Sequence, residues 1–550
     1  MNPSRLTPTQ RFWRLLKPDA DEIRNVYAYA IFSGLVSLSL PLGIQAIVNL
    51  IQGGRISTSW VLLVALTVLG TLFAGILQVV QLRITERLQQ RIFTRAAFEF
   101  AMRLPAIRVE ALYKKYAPEL MNRFFDVISV QKGLSKLLID VAAAGLQAIF
   151  GLLLLSVYHP FFTLFNVVVG VIMFLLFRWT SRKGLSTSIQ ESSHKYEVAH
   201  WLEELARTAS TFKLAGKTNL PISRTDQHVS NYLTARRAHF RILMTQYTFL
   251  VAFKVIVVAG LLIIGGIMVM EQAMNIGQFI AAEIIVVLLM NSVEKLVLSI
   301  ETAYDVLTSL EKIGQVTDLE LESESGERVP TSDPRGMAIE LRNIRYQHPG
   351  QSQPLFDAFN ATIEPGERIL VTGPQGSGKS TFLQFFAGLV VPQEGNIAFN
   401  GQPMRHANLT ELRSDIGEVL DDQLLFAGSI CENISLGRPD APEEHVRWAI
   451  EQIGLKDWVD GTEKGIYTEL NPAGQHLPQN IIQRLLLARS IATKPALLVL
   501  ENPLGPFMPS VRHDLVQALT RADQPWTLIV VSDDPEMRAA CTREIDLSNS

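Results

Sequence analysis

The chain has 550 residues, which is long enough for two or more domains. It is 48% hydrophobic and 19% charged, whereas soluble domains average about 25% charged residues, so the composition argues against a purely soluble protein. The net charge of −3 gives no sign of nucleic-acid binding, and the only cysteines, Cys431 and Cys541, exclude a disulfide framework and favour a reducing compartment.

The first 25 residues form a polar, basic segment without the short apolar core and cleavage site of a secretory signal. Apolar runs follow, and a hydrocarbon core of ~30 Å requires about 20 helical residues to cross it. We count six spans, and a tight hairpin at His159 and Pro160 joins the short third and fourth spans. The six runs lie at about 26–50, 60–80, 141–157, 161–177, 255–270 and 278–300.

Basic residues fix the orientation of these spans. Residues 83–136 and 178–241 each contain eleven lysines or arginines, and the N-terminal segment contains five, whereas the remaining loops contain only Arg55. By the positive-inside rule, the N-terminus and both long stretches are cytoplasmic. Apolar residues at three- and four-residue spacing in both stretches predict helices that continue out of the membrane and fold back. A soluble insertion between spans is the alternative.

Charged residues inside the predicted spans form a second class of candidate functional groups, because charges within a membrane are rare and usually functional. At a rise of 1.5 Å per helical residue, Lys254 and Glu283 differ in depth by roughly 10 Å. Glu294 is therefore the nearer partner for Lys254. We expect Glu283 to face a water-filled cavity or another subunit, and a solvated lining residue without a substrate role is the alternative.

The character of the sequence changes after Ile300. Residues 311–336 are acidic and then contain Ser, Pro and Gly, as expected for a linker. Short strands alternating with helices follow from Met337 to the C-terminus, which predicts an α/β domain. The expected organisation is an N-terminal cytoplasmic segment at 1–25, an all-α transmembrane domain at 26–310, a linker at 311–336 and an α/β domain at 337–550.

The stretch ERILVTGPQGSGKSTFLQFFAG contains the pattern Gly-x-x-x-x-Gly-Lys-Ser after an apolar strand and at the start of a helix, the context that a phosphate-binding P-loop requires. Glycines let backbone N–H groups surround phosphate oxygens, and the helix N-terminus adds partial positive charge. Lys379 would reach the outer phosphates of ATP, and Ser380 would ligate Mg²⁺. A glycine turn without a ligand is the alternative. The predicted loop consists of Gly373, Pro374, Gln375, Gly376, Ser377, Gly378, Lys379, Ser380 and Thr381.

With this loop placed after six spans, the chain resembles the ABC exporter family as a half-transporter, and the resemblance covers nearly the whole chain. It implies a multi-pass protein of the cytoplasmic (inner) membrane with its N-terminus and ATP-binding domain in the cytoplasm. Family members are dimers that hold ATP between the P-loop of one subunit and the signature segment of the other, and closure of this sandwich opens the membrane part outward.

The resemblance also implies partners. These are a second half-transporter, either identical or different, and membrane lipid, with a periplasmic adaptor left open and no nucleic acid expected. The exported compound would be a polypeptide or a hydrophobic molecule, and the sequence does not name it.

The family pattern locates its functional positions in this chain, and several of them carry unusual residues. His348 corresponds to the aromatic residue that stacks on adenine, and Tyr346 lies two residues earlier. The other departures are Asp421 for the Mg²⁺-sensing glutamine, Glu501 for the Mg²⁺-holding aspartate, Asn502 for the catalytic glutamate, Asp533 for the histidine at the γ-phosphate, and LPQNI at 477–481 for the signature Leu-Ser-Gly-Gly-Gln.

These substitutions predict impaired catalysis. The Asn502 amide cannot accept a proton from water, and losing a general base costs typically 10²–10⁴ in rate. Asp533 would repel a phosphate by about 4 kcal/mol at ~4 Å with an effective dielectric near 20. Pro478 lacks an N–H, whereas Ser380, Asp421 and Glu501 remain candidate Mg²⁺ ligands. We therefore expect an exporter subunit that binds ATP and hydrolyses it weakly or not at all; the alternative is a non-hydrolysing, nucleotide-gated scaffold or regulatory partner of an active half-transporter.

Overall fold

The computed structural model describes residues 6–52, 58–113, 117–158, 160–322, 325–330, 333–349, 351–421, 423–505 and 507–548. The chain divides into two compact units. Unit 1 comprises Met1–Pro105 and Lys115–Leu319, and unit 2 comprises Ala106–Lys114 and Glu320–Ser550. Unit 2 thus includes a short segment that lies, in chain order, between helices of unit 1. The domain limits drawn from the sequence stay predictions.

Long helices build unit 1. The first twelve helices of the chain are α1 (Pro8–Leu16), α2 (Ala20–Ser37), α3 (Ser39–Gln52), α4 (Thr58–Arg103), α5 (Val109–Leu112, in unit 2), α6 (Ala117–Met121), α7 (Asp126–Lys136), α8 (Ala142–Tyr158), α9 (Pro160–Arg207), α10 (Ala209–Leu214), α11 (Leu220–Met270) and α12 (Ile276–Thr317). A π-helical segment, Leu137–Val141, joins α7 to α8. The lengths of α4, α9 and α11 are 46, 48 and 51 residues, about twice what a bilayer requires, as helices that continue out of the membrane would need. Their extension into the cytoplasm stays a prediction.

Five helical stretches among the described residues are long and apolar enough to cross a membrane, so the chain is a multi-pass membrane protein. They are Pro8–Gln52, Thr58–Ala106, Pro118–Val157, Leu220–Met270 and Ile276–Thr317. The predicted fourth span, 161–177, lies within α9, where many side chains fall outside the described part of the chain. This fourth span stays a prediction.

Helix α12 forms the core of unit 1. It begins with a capping box in which the Asn275 side chain accepts a hydrogen bond from the Gln278 backbone, satisfying a donor that the helix itself leaves free. Its inward face is almost fully buried, whereas apolar side chains of α4 such as Leu62 remain more than half exposed, as a face against lipid requires. The buried face contains Ala281, Ala282, Ile285, Val286, Leu289 and Met290.

Two of the charged residues in the predicted spans pair as their depths in the membrane predicted. Lys254 Nζ lies 3.3 Å from Glu294 Oε2, joining α11 to α12, so the predicted partner is confirmed. Glu283 is exposed on α12, and within the described residues it makes no ion pair. Its orientation toward a cavity or a second subunit stays a prediction.

Unit 2 has the predicted α/β architecture. Its strands are β1 (Ile339–Tyr346), β2 (Phe356–Ile363), β3 (Arg368–Thr372), β4 (Glu394–Phe399), β5 (Gln402–Pro403), β6 (Ile416–Val419), β7 (Gly428–Ser429), β8 (Glu469–Leu470), β9 (Leu497–Glu501), β10 (Thr527–Val531) and β11 (Arg543–Asp546). Its further helices are α13 (Lys379–Phe386), α14 (Leu409–Ser414), α15 (Ile430–Ser435), α16 (Glu443–Gln452), α17 (Lys456–Asp460), α18 (Gln479–Ile491), α19 (Pro509–Thr520) and α20 (Pro535–Ala540).

Two main sheets organise these elements. An antiparallel sheet has the order β2-β1-β4-β5, and a five-stranded sheet has the order β11-β3-β10-β9-β6 with every neighbouring pair parallel. Strands β9 and β10 are buried along their whole length, which explains their continuous apolar sequence, since helices cover both faces of a parallel sheet. The carboxyl ends of these parallel strands meet at one edge.

Candidate functional site

The predicted site residues gather at the carboxyl edge of the parallel sheet. The glycine loop follows β3, Asn502 follows β9, Asp533 lies just beyond β10, and Asp421 lies just beyond β6. Ligands of open α/β sheets bind outside the carboxyl ends of the strands. The topology thus brings together four chain segments that are up to 160 residues apart in the sequence.

The loop after β3 has a backbone that only glycine adopts without strain. Gly373, Gly376 and Gly378 have φ values of 145°, 86° and 91°, in the region that disfavours a Cβ. A Cβ at Gly378 would also lie 2.8 Å from Leu355. Helix α13 begins immediately afterwards at Lys379, so the predicted strand–loop–helix context is confirmed.

Polar groups of this loop fit a phosphate. Lys379 Nζ donates to the carbonyl oxygens of Gly373 at 2.7 Å and Pro374 at 3.0 Å, which folds the amine over the loop. Ser377 Oγ is buried and has no hydrogen-bond partner among the described residues. A buried donor without a partner is costly, and a phosphate oxygen held by the loop would satisfy it. The surrounding Gln375 is exposed.

A hydroxyl and a carboxylate meet beside the loop. Ser380 Oγ donates to Glu501 Oε1, and Glu501 is 6% exposed. This pair fits Mg²⁺, which binds through one or two protein oxygens while keeping water and phosphate ligands. In the described part of the chain no group of three or more His, Cys, Asp or Glu side chains forms a metal site, so phosphates would have to complete the shell. Asp421 is exposed beyond the end of β6, and its role as a ligand stays a prediction.

Asn502 occupies an unusual backbone position. Its φ is 44°, in the left-handed region where asparagine is enriched several-fold over other non-glycine residues. Its N–H donates to Val531 O at 2.8 Å, and its carbonyl accepts from Gln483 Nε2 at 3.2 Å. The position is therefore held from both sides. The exposed amide side chain supplies hydrogen bonds at this point but no base.

The other departures lie mostly on the surface of unit 2, although Ile481 at the end of the segment 477–481 is buried. Asp533 is exposed. The segment 477–481 leads into α18, whose N-cap is Pro478 and lacks a side-chain cap. The N–H group of Ile481 donates to Pro478 O at 2.9 Å, which leaves the N–H groups of Gln479 and Asn480 as candidates for an external acceptor, although the serine and glycines of the family signature are missing. The roles of these positions stay predictions.

The aromatic residues at the end of β1 differ in exposure. Tyr346 is 2% exposed and packs edge-on against Phe385 in the core, so it has no free face for a base. His348 is partly buried, and its Nε2 lies 3.0 Å from Thr381 Oγ1 on α13. A residue that the sequence did not single out, Tyr113, lies beside both: its hydroxyl is 3.3 Å from that of Tyr346.

A second unpredicted group is Glu418 on β6, two residues before the end of the apolar run that leads to Asp421. Gln423 Nε2 donates to its Oε1 at 3.4 Å. Burial raises the pKa of Glu418 to about 7, although Arg438, Arg413 and Arg489 partly offset the shift. A carboxyl group thus titrates near neutral pH in the strand that carries the Asp421 segment. An isolated acidic residue in an apolar strand gave the only sequence signal.

Comparison with known proteins places these observations in context. Residues 25–293 match the family model described as ABC transporter transmembrane region, and residues 356–505 match the one described as ABC transporter. The ABC multidrug transporter E of Aspergillus fumigatus is 31% identical over 213 residues, which cover 38% of this chain and 17% of that protein. The alpha-hemolysin translocation ATP-binding protein of Escherichia coli is 27% identical over 269 residues, covering 49% of this chain and 38% of its own length.

A solved structure of a bacterial Atm1-family ABC exporter with ATP bound shares the fold, with a TM-score of 0.78 and 18% identity. The likeness covers 96% of this chain and 93% of that chain. The matched region spans well under half the length of the two curated relatives.

Proposed function

Because this chain belongs to the ABC transporter family, with the exporter-type half-transporter architecture of a transmembrane region followed by a nucleotide-binding domain, we propose that it is a subunit of an ATP-dependent membrane exporter. Its own site binds ATP with Mg²⁺ and hydrolyses it weakly or not at all. We further propose that the N-terminus and unit 2 are cytoplasmic, in the cytoplasmic membrane.

One arrangement carries this proposal. The glycine loop, Lys379 and the Ser380–Glu501 pair are together at the sheet edge, where they suit a nucleotide, while an amide stands at position 502. Backbone N–H groups of the loop and of α13 hold the phosphates, and Lys379 turns from its carbonyl partners to the outer phosphate. Ser380 and Glu501 would hold Mg²⁺, which would neutralise charge at those phosphates. Asn502 holds a water by hydrogen bonds but leaves its proton in place.

The identity of the second subunit determines in which ATP site of the dimer each substituted position would lie. In the sandwich that the family resemblance implies, residue 502 of one subunit shares a site with segment 477–481 of the other. A homodimer would place both departures in each of its two sites. A heterodimer with an intact partner would place Asn502 in one site and the segment LPQNI in the other. Neither assembly contains a site with the full family pattern, so we expect weak hydrolysis with either partner.

The exported compound is proposed only as a class. Relatives named for multidrug transport and for alpha-hemolysin translocation support a hydrophobic compound or a polypeptide, and a polypeptide route would add a periplasmic adaptor as a partner. The number of substituted positions in one chain supports a second candidate function, a non-hydrolysing nucleotide-gated scaffold or regulatory partner of an active half-transporter. ATP binding without any effect on transport would favour that candidate.

Nucleotide binding by the full chain in lipid tests the proposal. Labelled ATP with Mg²⁺ should bind saturably to the wild-type chain and at least tenfold more weakly to Lys379→Ala, because the loop loses its only side-chain cation. Lys464→Ala, which removes an exposed lysine of the same unit, is the matched control and should bind like the wild type. Equal binding by all three forms would refute nucleotide binding through this loop.

A further inference from the structure

Three aromatic rings form a cluster beside the glycine loop, and one of them comes from a distant part of the chain. Tyr113 follows α5, within the segment Ala106–Lys114 of unit 2. Its ring centroid lies 5.6 Å from that of His348, with a tilt of 59° between the planes. The rings of Tyr346 and His348 lie 5.2 Å apart and nearly perpendicular.

Each ring of this cluster has a distinct position. Tyr346 is enclosed by the core and by its two neighbours, and its hydroxyl reaches outward to the Tyr113 hydroxyl at 3.3 Å. Tyr346 therefore anchors Tyr113 and presents no stacking face itself. Tyr113 is only partly buried, so part of its ring remains accessible.

The His348 contact shows on which side of the loop this cluster lies. His348 Nε2 lies 3.0 Å from the hydroxyl of Thr381, which is the third residue of α13. Phosphates held at the N-terminus of α13 would thus have the imidazole as a close neighbour. If the nucleoside attached to those phosphates extends from the loop on this side, it would lie first beside His348 and then beside Tyr113.

We propose that Tyr113 is a further nucleotide-binding residue of this chain, whose ring stacks on the base while its hydroxyl is anchored by Tyr346. This inference rests on the proposed nucleotide binding. Aromatic faces stack on bases with an energy that corresponds to about 5- to 150-fold in affinity when the ring is removed. Base recognition would then depend on a residue that lies, in chain order, between the membrane helix α4 and α7.

Two ligands separate base stacking from general damage to the site. ATP carries the base, whereas inorganic tripolyphosphate offers the loop the same three phosphates without one. For Tyr113→Leu in the full chain in lipid, we expect ATP affinity to fall about tenfold and tripolyphosphate affinity to stay within twofold of the wild type. Tyr113→Phe keeps the ring and should retain ATP affinity within about threefold.

A fluorescent analogue gives an independent readout. The fluorescence of 2-aminopurine riboside triphosphate is quenched when its base stacks, so wild type and Tyr113→Phe should quench it and Tyr113→Leu should not. Unchanged ATP affinity and quenching in Tyr113→Leu would overturn the inference, and an equal loss of ATP and tripolyphosphate affinity would overturn it in favour of a structural role. Lys379→Ala should weaken both ligands; if it weakens neither, nucleotide binding itself fails, independently of Tyr113.

Discussion

Asn502 differs from a glutamate in two ways that matter at this position: in its backbone preference and in its side-chain chemistry. Its left-handed backbone, with φ of 44°, suits asparagine, and a longer side chain without a local hydrogen bond costs about 1–2 kcal/mol there. The family resemblance predicts a catalytic glutamate at this position, and an amide cannot act as a base. Under that prediction, backbone stability and catalysis favour different residues here, and the chain has the residue that suits the backbone.

The Asn502→Glu variant tests the catalytic half of this argument. ATP hydrolysis should rise tenfold or more, because a carboxylate restores a general base, while the midpoint of thermal unfolding falls by a few degrees from backbone strain. Asn502→Ala is the matched control, because it shares the strain without gaining a base, and it should show no rise. Equal rates in both variants would assign the slow turnover to LPQNI and Asp533 instead.

Glu418 makes the stability of unit 2 depend on pH. Its pKa of about 7 in the folded state exceeds the ordinary pKa of a glutamate, 4.5, so the folded state binds more protons between these values and stability falls as the pH rises from about 4.5 to 7. The full shift corresponds to about 3 kcal/mol, which is lost once the pH is above the folded pKa. In thermal unfolding of the full chain, Glu418→Gln should be more stable than the wild type at pH 8 and equal to it near pH 4.5.

A surface carboxyl provides the control for Glu418. Glu444→Gln on α16 removes an exposed acid and should shift the unfolding midpoint equally at both pH values. If Glu418→Gln shows no gain at pH 8 relative to this control, the carboxyl is hydrated in solution and does not carry the pH dependence.

At the scale of elements, α11 and α12 are joined by one ion pair within the apolar part of unit 1. Lys254 and Glu294 lie 3.3 Å apart, and each charge is expensive in a bilayer unless paired or hydrated. Glu294→Gln should therefore lower the unfolding midpoint in detergent by several degrees. Glu283→Gln, on the exposed face of the same helix, should leave the midpoint unchanged but alter transport or substrate-stimulated hydrolysis.

These two variants separate a structural charge from a functional one. Loss of stability in Glu283→Gln would contradict an exposed position facing a cavity or second subunit. Normal transport by Glu283→Gln would leave it as a solvated lining residue. A stable Glu294→Gln variant would mean that Lys254 finds water rather than the carboxylate.

Local sequence patterns, and the depth of charged residues along the predicted membrane helices, predicted much of this architecture. The glycine loop between β3 and α13 depends on neighbouring residues, and the Lys254–Glu294 pair depends only on helical rise, so both followed from the sequence. The burial of Tyr346 and the contact of Tyr113 with it depend on tertiary packing between residues 233 positions apart. Likewise, Glu418 acquires its raised pKa from a fold that no local pattern encodes.

At the scale of the whole molecule, the two units carry separable tasks. Unit 1 provides long helices, each with an apolar stretch long enough to cross a membrane, and unit 2 provides the glycine loop and the Ser380–Glu501 pair of the proposed nucleotide site, with an amide at position 502. We propose that ATP binding and release, rather than rapid hydrolysis, set the state of this subunit in its dimer. The same chemistry would serve an exporter subunit and a nucleotide-gated scaffold, which differ in whether a substrate crosses the membrane.

The most direct test is the steady-state rate of ATP hydrolysis by the purified full chain in lipid, measured under Mg²⁺-ATP concentrations at which binding is saturated. We predict saturable ATP binding that depends on Lys379, together with a turnover well below the usual enzyme range of about 1–10³ per second. A turnover within that range, abolished in Lys379→Ala, would contradict the account, because it would show that Asn502 and the LPQNI segment support full catalysis.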